Sequence, residues 1–455
     1  MSAFGRLRHP IGKSALALAI ALCSCAPLPT STPTATRPAP TATTPATVIP
    51  APSPNAAGSE LHVWHSLSGA KEASLRAIVE SFVAQNPEQI RVRLEYHVDL
   101  QTEVLTAASA GTPPDLVITL CSELALFASH GLVATLGPYL QDPTYGLGGE
   151  QAADLWPVVL QGCLKDGGDQ PLGMLFDLQA QLLYYNAAWL KRLKPDTAPT
   201  SWDNLRTLCN SAHDKKAGTW GVAFDGSSLS VSAWIASLGG SLLDKTGQLS
   251  LASPEANAAL TALNDLRRDG CLLCSYEPGA ARQELASEKI PFVFGSSSEL
   301  NSYREAILNP KTNIPRFAWD VAPFPFVTSE PAVMVEGLTM GILRTSPNQQ
   351  LAAWLLVKWF LEPQNDAYWV LATGSLPLHR SALESSELKQ YVEEHPQYLT
   401  AARLVAYAHT EPAVSVMPMV RSLMSTAARA VCQGQAEPQQ ALLAADTAAT
   451  TILNR

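Results

Sequence analysis

The sequence predicts an α/β fold, with a mostly parallel sheet flanked by helices. Three observations point there. From residue 60 onwards, short apolar or period-two runs alternate with stretches of helical period. At 455 residues the chain exceeds the usual single-domain length, so two domains or lobes of about 150–200 residues each are expected. It is 47% hydrophobic and 16% charged, enough to bury a sizeable core and too apolar for a wholly disordered chain.

The chain opens with an address. Arg6, Arg8 and Lys13 precede an apolar run from Ala15 to Leu22, the charged and apolar regions of a secretory signal. The run falls short of the roughly 20 residues that span a bilayer. Leu22-Cys23-Ser24-Cys25 resembles a bacterial lipobox, which implies that Cys25 carries the lipid and that residues 1–25 are a lipoprotein signal peptide. Residues 26–59 are rich in proline and threonine, with Arg37 as the one charge before Glu60. Proline removes amide donors and favours extended polyproline II, and nothing in the segment forms an apolar face. A linker or stalk is expected.

Leu61-His62-Val63-Trp64 reads as the first strand. Leu75, Ile78, Val79 and Phe82 then recur at helical spacing up to Asn86-Pro87. Residues 90–96 alternate with period two, as a strand with one solvated face does. A polar helix runs to Ala110 and is stopped by Gly111-Thr112-Pro113-Pro114, after which Asp115-Leu116-Val117-Ile118 reads as a buried strand. Strand, helix, strand, helix, strand implies right-handed crossovers and parallel pairing. Ligands of open sheets lie beyond the carboxyl ends of the strands, which selects the loops 65–69 and 119–123.

Several segments, in order, resemble the extracellular solute-binding proteins (family 1) of ATP-driven importers, which include maltose and glycerol-3-phosphate binders. They are Val63-Trp64-His65-Ser66-Leu67-Ser68-Gly69, Ala110-Gly111-Thr112-Pro113-Pro114-Asp115-Leu116-Val117, Leu183-Tyr184-Tyr185-Asn186, Pro199-Thr200-Ser201-Trp202-Asp203, Gly239-Gly240, Gly295-Ser296-Ser297-Ser298 and Ala372-Thr373-Gly374-Ser375-Leu376-Pro377-Leu378-His379-Arg380. The resemblance covers Leu61 to about Leu453. It implies a two-lobe fold of the type II periplasmic-binding-protein kind, with a ligand cleft between lobes. Residues 60–175 and 290–336 would form lobe one, 176–289 and 337–455 lobe two, with crossings near Phe176, Ile290 and Gly337.

Candidate ligand residues follow from strand ends, crossings and that resemblance. His65 and Ser66 sit on the first strand-end loop and Glu123 on the third, where a carboxylate can accept hydroxyl hydrogen bonds or simply favour a helix N-terminus. Phe176 and Asp177 lie at the first expected crossing, Glu336 and Gly337 at a later one, where glycine permits close backbone approach. Trp234, close to Gly240, occupies a region where the family places a stacking aromatic, with a core role as the alternative; Trp369 is a weaker case. Ser296, Ser297 and Ser298 offer hydroxyls and amides to an oxygen-rich ligand, or cap the next helix. Arg380 aligns with a family arginine, and its guanidinium fork suits phosphate or carboxylate.

The remaining composition narrows the function. Net charge is −9, which argues against nucleic-acid binding. There is no glycine-rich phosphate loop, no His-Glu-x-x-His and no Gly-x-Ser-x-Gly elbow, so no enzyme activity, metal or cofactor is expected, and none of the 40 carboxylates stands out as half of a hydrolytic pair. Six cysteines outside the signal allow 15 connectivities. With the implied lobes, chain order suggests Cys121 with Cys163, Cys209 with Cys271, and Cys274 with Cys432. The expected function is that of a monomeric, lipid-anchored receptor on the outer face of the cytoplasmic membrane. It would capture a sugar, oligosaccharide or glycerol-phosphate-like solute and pass it to separate permease subunits. An anchored glycan hydrolase and a non-transport sensor or adhesion protein are the alternatives.

Overall fold

A computed structural model describes residues 54–164, 168, 170–193 and 197–453. The expected signal peptide, Cys25 and most of the expected linker lie outside them. The folded part begins slightly before the expected linker end: Ala56 is buried and the Asn55 amide donates to Asn348.

Among the described residues ten strands form the sheet: β1 (Glu60–His65), β2 (Arg91–Tyr96), β3 (Leu116–Leu120), β4 (Met174–Asn186), β5 (Val222–Phe224), β6 (Leu272–Cys274), β7 (Phe292–Ser296), β8 (Trp319–Ala322), β9 (Val333–Ile342) and β10 (Ala408–Thr410). The order is β2-β1-β3-β9-β4-β7-β5-β6, with β10 on β9 and β8 on β4. The first three strands pair in parallel, as their alternation with helices requires. The Gly69–Gln85 helix buries the expected face of Leu75, Ile78, Val79 and Phe82.

Two long strands change the pattern. β9 runs antiparallel to both β3 and β4, so the sheet is mixed rather than nearly all parallel. β4 pairs with β9 as far as Ala180 and then with β7 from Gln181. It belongs to one half-sheet with its first residues and to the other with its last. The chain therefore crosses between halves at Ala180–Gln181, not near Phe176.

This pairing corrects the expected lobe boundaries. Phe292–Ser296 runs alongside β5 and against Gln181–Tyr185, and Trp319–Ala322 against Leu183–Asn186. Both lie in the second half-sheet, and no crossing occurs at Ile290. Conversely Leu338–Ile342 pairs with β3, and the Pro347–Phe360 and Pro363–Thr373 helices pack on Gly69–Gln85 in the first half. The Met417–Cys432 and Pro438–Leu453 helices return to the second half, against Ser228–Ser237 and Pro254–Arg268.

Burial explains why the halves hold. Trp234, Phe224, Phe292 and Phe294 anchor the core of the second half, while Leu61, Val63, Leu75 and Ile78 anchor the first. Each such side chain contributes about 1.5–3 kcal/mol relative to exposure. Disulfides join Cys121 to Cys163, Cys209 to Cys271 and Cys274 to Cys432, the pairings that chain order suggested. Among the described residues no helix is long and apolar enough to cross a membrane.

Candidate functional site

Strand ends locate the site. β3 pairs with β9 from Ile342 down to Leu338, so its carboxyl end Leu120 stops there. β10 pairs with Val333–Val335 on β9 and ends at Thr410. The ends of β3 and β10 leave Glu336 and Gly337 of β9 unpaired by either strand. A crevice of about 40 Å³ opens at that gap, lined by Leu120, Cys121 and Ser122 of the first half, Glu336 and Gly337, and Glu411 and Arg421 beyond β10.

Its chemistry is a charged trio. Arg421, in the first turns of the Met417–Cys432 helix, donates from Nε and Nη2 to Glu411 Oε2, both at 2.6 Å, and Nη2 lies 3.7 Å from Glu336. The second Glu411 oxygen accepts from the Ser232 hydroxyl at 2.6 Å. Burial pushes the Glu336 carboxyl above its usual range; Arg421 opposes this and the charges of Glu411 and Asp177 add to it. One arginine thus serves two carboxylates, with only Glu411 held at hydrogen-bond distance.

The carboxyl ends of β5, β6 and β7 open onto a second cavity of about 320 Å³. Arg282 donates to Glu299 at 2.8 Å, and the Arg429 guanidinium lies 4.7 Å from the Tyr276 ring centre. Burial raises both the Asp225 and Glu299 carboxyls in the same space. Arg429 follows Arg421 by eight residues on one helix, about 12 Å along its axis.

The expected site residues scatter. Glu336 and Gly337 do line the crevice. The Gly337 backbone, however, is approached by protein: a Cβ there would meet the Asp177 carbonyl oxygen at 1.9 Å. Glu123 lies in the first turn of the helix after β3, its carboxyl raised by burial and by the charge of Asp99. Ser66 is exposed, but His65 is fully buried, accepting the Leu67 amide on Nδ1, and burial lowers its pKa. Ser297 is buried and accepts the Ala180 amide at the β4 crossing; Ser296 accepts the Ser298 amide and caps the turn.

Five expectations need correction. Trp234 is fully buried between Trp202, Phe224 and Phe294, because its helix face packs on the second half-sheet. Phe176 packs against Phe360 and Trp369 in the core of the first half. Asp177 is 2% exposed and already bound by Lys71 Nζ at 2.5 Å, Ser375 at 2.8 Å and Trp369 at 3.2 Å. Trp369 is itself 2% exposed and spends its indole N–H on that contact. Arg380 is exposed, its guanidinium 5.4 Å from the Trp156 ring centre, and lines neither cavity. Gly240 lies in the wall of a third cavity, beyond Thr410–Pro412.

Sequence reasoning missed Arg421 and Glu411. The available signal was composition: Arg421 and Arg429 are the only charged residues in an otherwise apolar and small-residue helix.

The model of the bacterial extracellular solute-binding proteins matches residues 77–397. The chain belongs to that family. Relatives of this solute-binding protein agree over nearly the whole folded part. It is 20% identical over 421 residues to the sn-glycerol-3-phosphate-binding periplasmic protein of Shigella flexneri, covering 86% of this chain and 92% of the relative. The structure resembles that of the sugar-binding protein MalE from Xanthomonas citri, with a TM-score of 0.74 at 18% identity, over 87% of this chain and 98% of the other. It also resembles the cyclic alpha-maltosyl-1,6-maltose binding protein from Arthrobacter globiformis, with a TM-score of 0.71 at 22% identity and the same coverage. The fold is the two-lobe, type II arrangement, and the family is one of binding proteins rather than enzymes.

Proposed function

We propose that this solute-binding protein is the lipid-anchored receptor of an ABC-type importer, held outside the cytoplasmic membrane by Cys25 and the 26–59 linker. It captures a small polar solute between its lobes and delivers it to separate permease subunits. The observation that carries the reading is the crevice at the gap between β3 and β10, lined from both half-sheets and holding the Arg421 fork. At about 40 Å³ it holds a water and not a solute, so loading requires the lobes to part. Three segments cross between them, at Ala180–Gln181, between β8 and Val335 of β9, and between Thr410 and Met417, and these are the hinges.

The solute is a sugar, oligosaccharide or glycerol-phosphate-like compound. Arginine forks bind phosphate bidentately, and carboxylates accept sugar hydroxyls; the crevice and the Asp225–Glu299 cavity contain both. A thermal-shift screen of sugars and phosphorylated polyols tests this. A solute at 100 times its Kd adds about 2.7 kcal/mol of stability, lost on Arg421→Ala. Chemical turnover of the bound compound would reject a receptor role.

A further inference from the structure

A cavity much larger than the crevice lies close to it. On the other side of the Thr410–Pro412 segment lies a chamber of about 620 Å³, within the range of small-molecule sites. The end of the Ser228–Ser237 helix, the loop before β9, and β10 with the turn preceding it enclose it. Its lining divides into two kinds of surface. Ile235, Leu242 and Met334 present buried apolar groups, and Ser232, Thr328 and Thr410 present hydroxyls.

Charge separates the chamber from the crevice. No lysine or arginine lines it, while Glu330 and Glu411 do. A phosphate or carboxylate finds no lysine or arginine fork there, only the ring of the exposed His409 at the rim. A sugar ring has what this lining complements: a C–H face for the apolar wall, and hydroxyls for the polar one.

Glu411 forms the partition. It is 9% exposed, and its two oxygens face opposite ways: Oε1 takes the hydroxyl of chamber-lining Ser232, and Oε2 takes the guanidinium of crevice-lining Arg421. The arginine holds the carboxylate in place without entering the chamber lining. Oε1 is left as a fixed acceptor at the chamber wall, with room for a second donor beside Ser232.

We propose that this chamber is a second ligand site, taking a neutral sugar ring with its apolar face on Ile235 and Met334 and a hydroxyl donated to Glu411. The site goes beyond the crevice reading, since it needs neither Arg421 contact nor a charged solute.

Isothermal titration with glucose, maltose, trehalose and sucrose tests it. Ala236 lines the chamber, and Ala236→Trp places an indole against its wall. At least one of the four sugars should bind the wild-type chain, and Ala236→Trp should weaken that sugar at least tenfold with an unchanged circular-dichroism spectrum. Where the tryptophan prevents folding, Ala236→Leu makes the same comparison and should weaken binding at least threefold. Undiminished sugar binding in both variants overturns the chamber site. So does a sugar lost on Ser122→Trp, which fills the crevice, and kept on Ala236→Trp; that result leaves the crevice reading standing. Binding of phosphorylated polyols alone, with none of the four sugars, has the same meaning. Failure of every solute in both screens removes the two readings together.

Discussion

Arg421 and Glu411 meet through two donors and one oxygen, with Nε and Nη2 of the guanidinium both 2.6 Å from Oε2. Glu411 is almost fully buried and Arg421 about one-quarter exposed. Removing the arginine leaves a buried carboxylate without its counter-charge, a loss of about 3 kcal/mol in comparable pairs. Arg421→Ala should lower the urea midpoint accordingly and abolish solute binding at the crevice. Replacing both partners with methionine should restore most of the stability and none of the binding, because no buried charge remains. Arg421→Lys keeps the charge and loses the fork, so it should recover stability better than affinity. A double variant as unstable as Arg421→Ala would show that the pair is not the cause.

Gly337 of β9 lies opposite Leu178 of β4. An added Cβ would fall 1.9 Å from the Asp177 carbonyl oxygen, a backbone atom that cannot rotate away. The strands have to separate next to the Ala180–Gln181 crossing, and the Asp177 contacts with Lys71 and Ser375 shift with them. Gly337→Ala should therefore cost more than about 2 kcal/mol, read by urea unfolding. A loss under about 0.5 kcal/mol would mean that β4 yields easily, and the crossing would then be soft rather than fixed.

How much of this was legible in the sequence depends on the range of the interaction. The Gly69–Gln85 helix was legible down to its buried face, because a period of 3.6 is a local property. The first three strands were legible for the same reason. The lobe boundaries were not. The apolar run Phe292-Val293-Phe294 suits either half-sheet, and only its pairing with residues more than a hundred positions earlier decides which. Trp234 shows the matching limit for the site: near a cleft motif, an indole reads alike as a stacking platform and as core, and its neighbours Phe224 and Phe294 come from two separate strands. Arg421 escaped notice because its partners arrive from β9 and from the segment after β10.

Cys274 and Cys432 are 158 positions apart and join β6 to the end of the Met417–Cys432 helix. A cross-link closing so long a loop removes much of the unfolded chain's freedom, and such bonds contribute about 2–5 kcal/mol. The same helix carries Arg421, so the bond also restrains the crevice from its far end. Paired substitution to serine should lower stability within that range and weaken solute binding further, through a looser helix. Peptide mapping without reduction checks the premise: it should return all six positions disulfide-linked, with Cys271 and Cys274 on one peptide joined to those of Cys209 and Cys432, and a free thiol at any of the six contradicts the fold as described.

His379 and Asp366 form a buried pair in the first half, with Nδ1 2.8 Å from the carboxylate and both side chains almost wholly enclosed. Burial alone disfavours the imidazolium, but the Asp366 hydrogen bond and charge outweigh it, and the His379 pKa ends above its ordinary value. A raised folded-state pKa stabilises the protein fully below the unfolded value of about 6.5, and that contribution is lost as pH rises through the folded value. The stability gap between the wild-type chain and His379→Asn should therefore be largest near pH 5.5 and shrink by pH 9. Asp366 also accepts the Leu378 and His379 amides, which persist in the variant and hold the turn in place. Urea unfolding at the two pH values reads the difference directly; a gap that widens with pH would reverse the sign and show that the buried histidine folds uncharged.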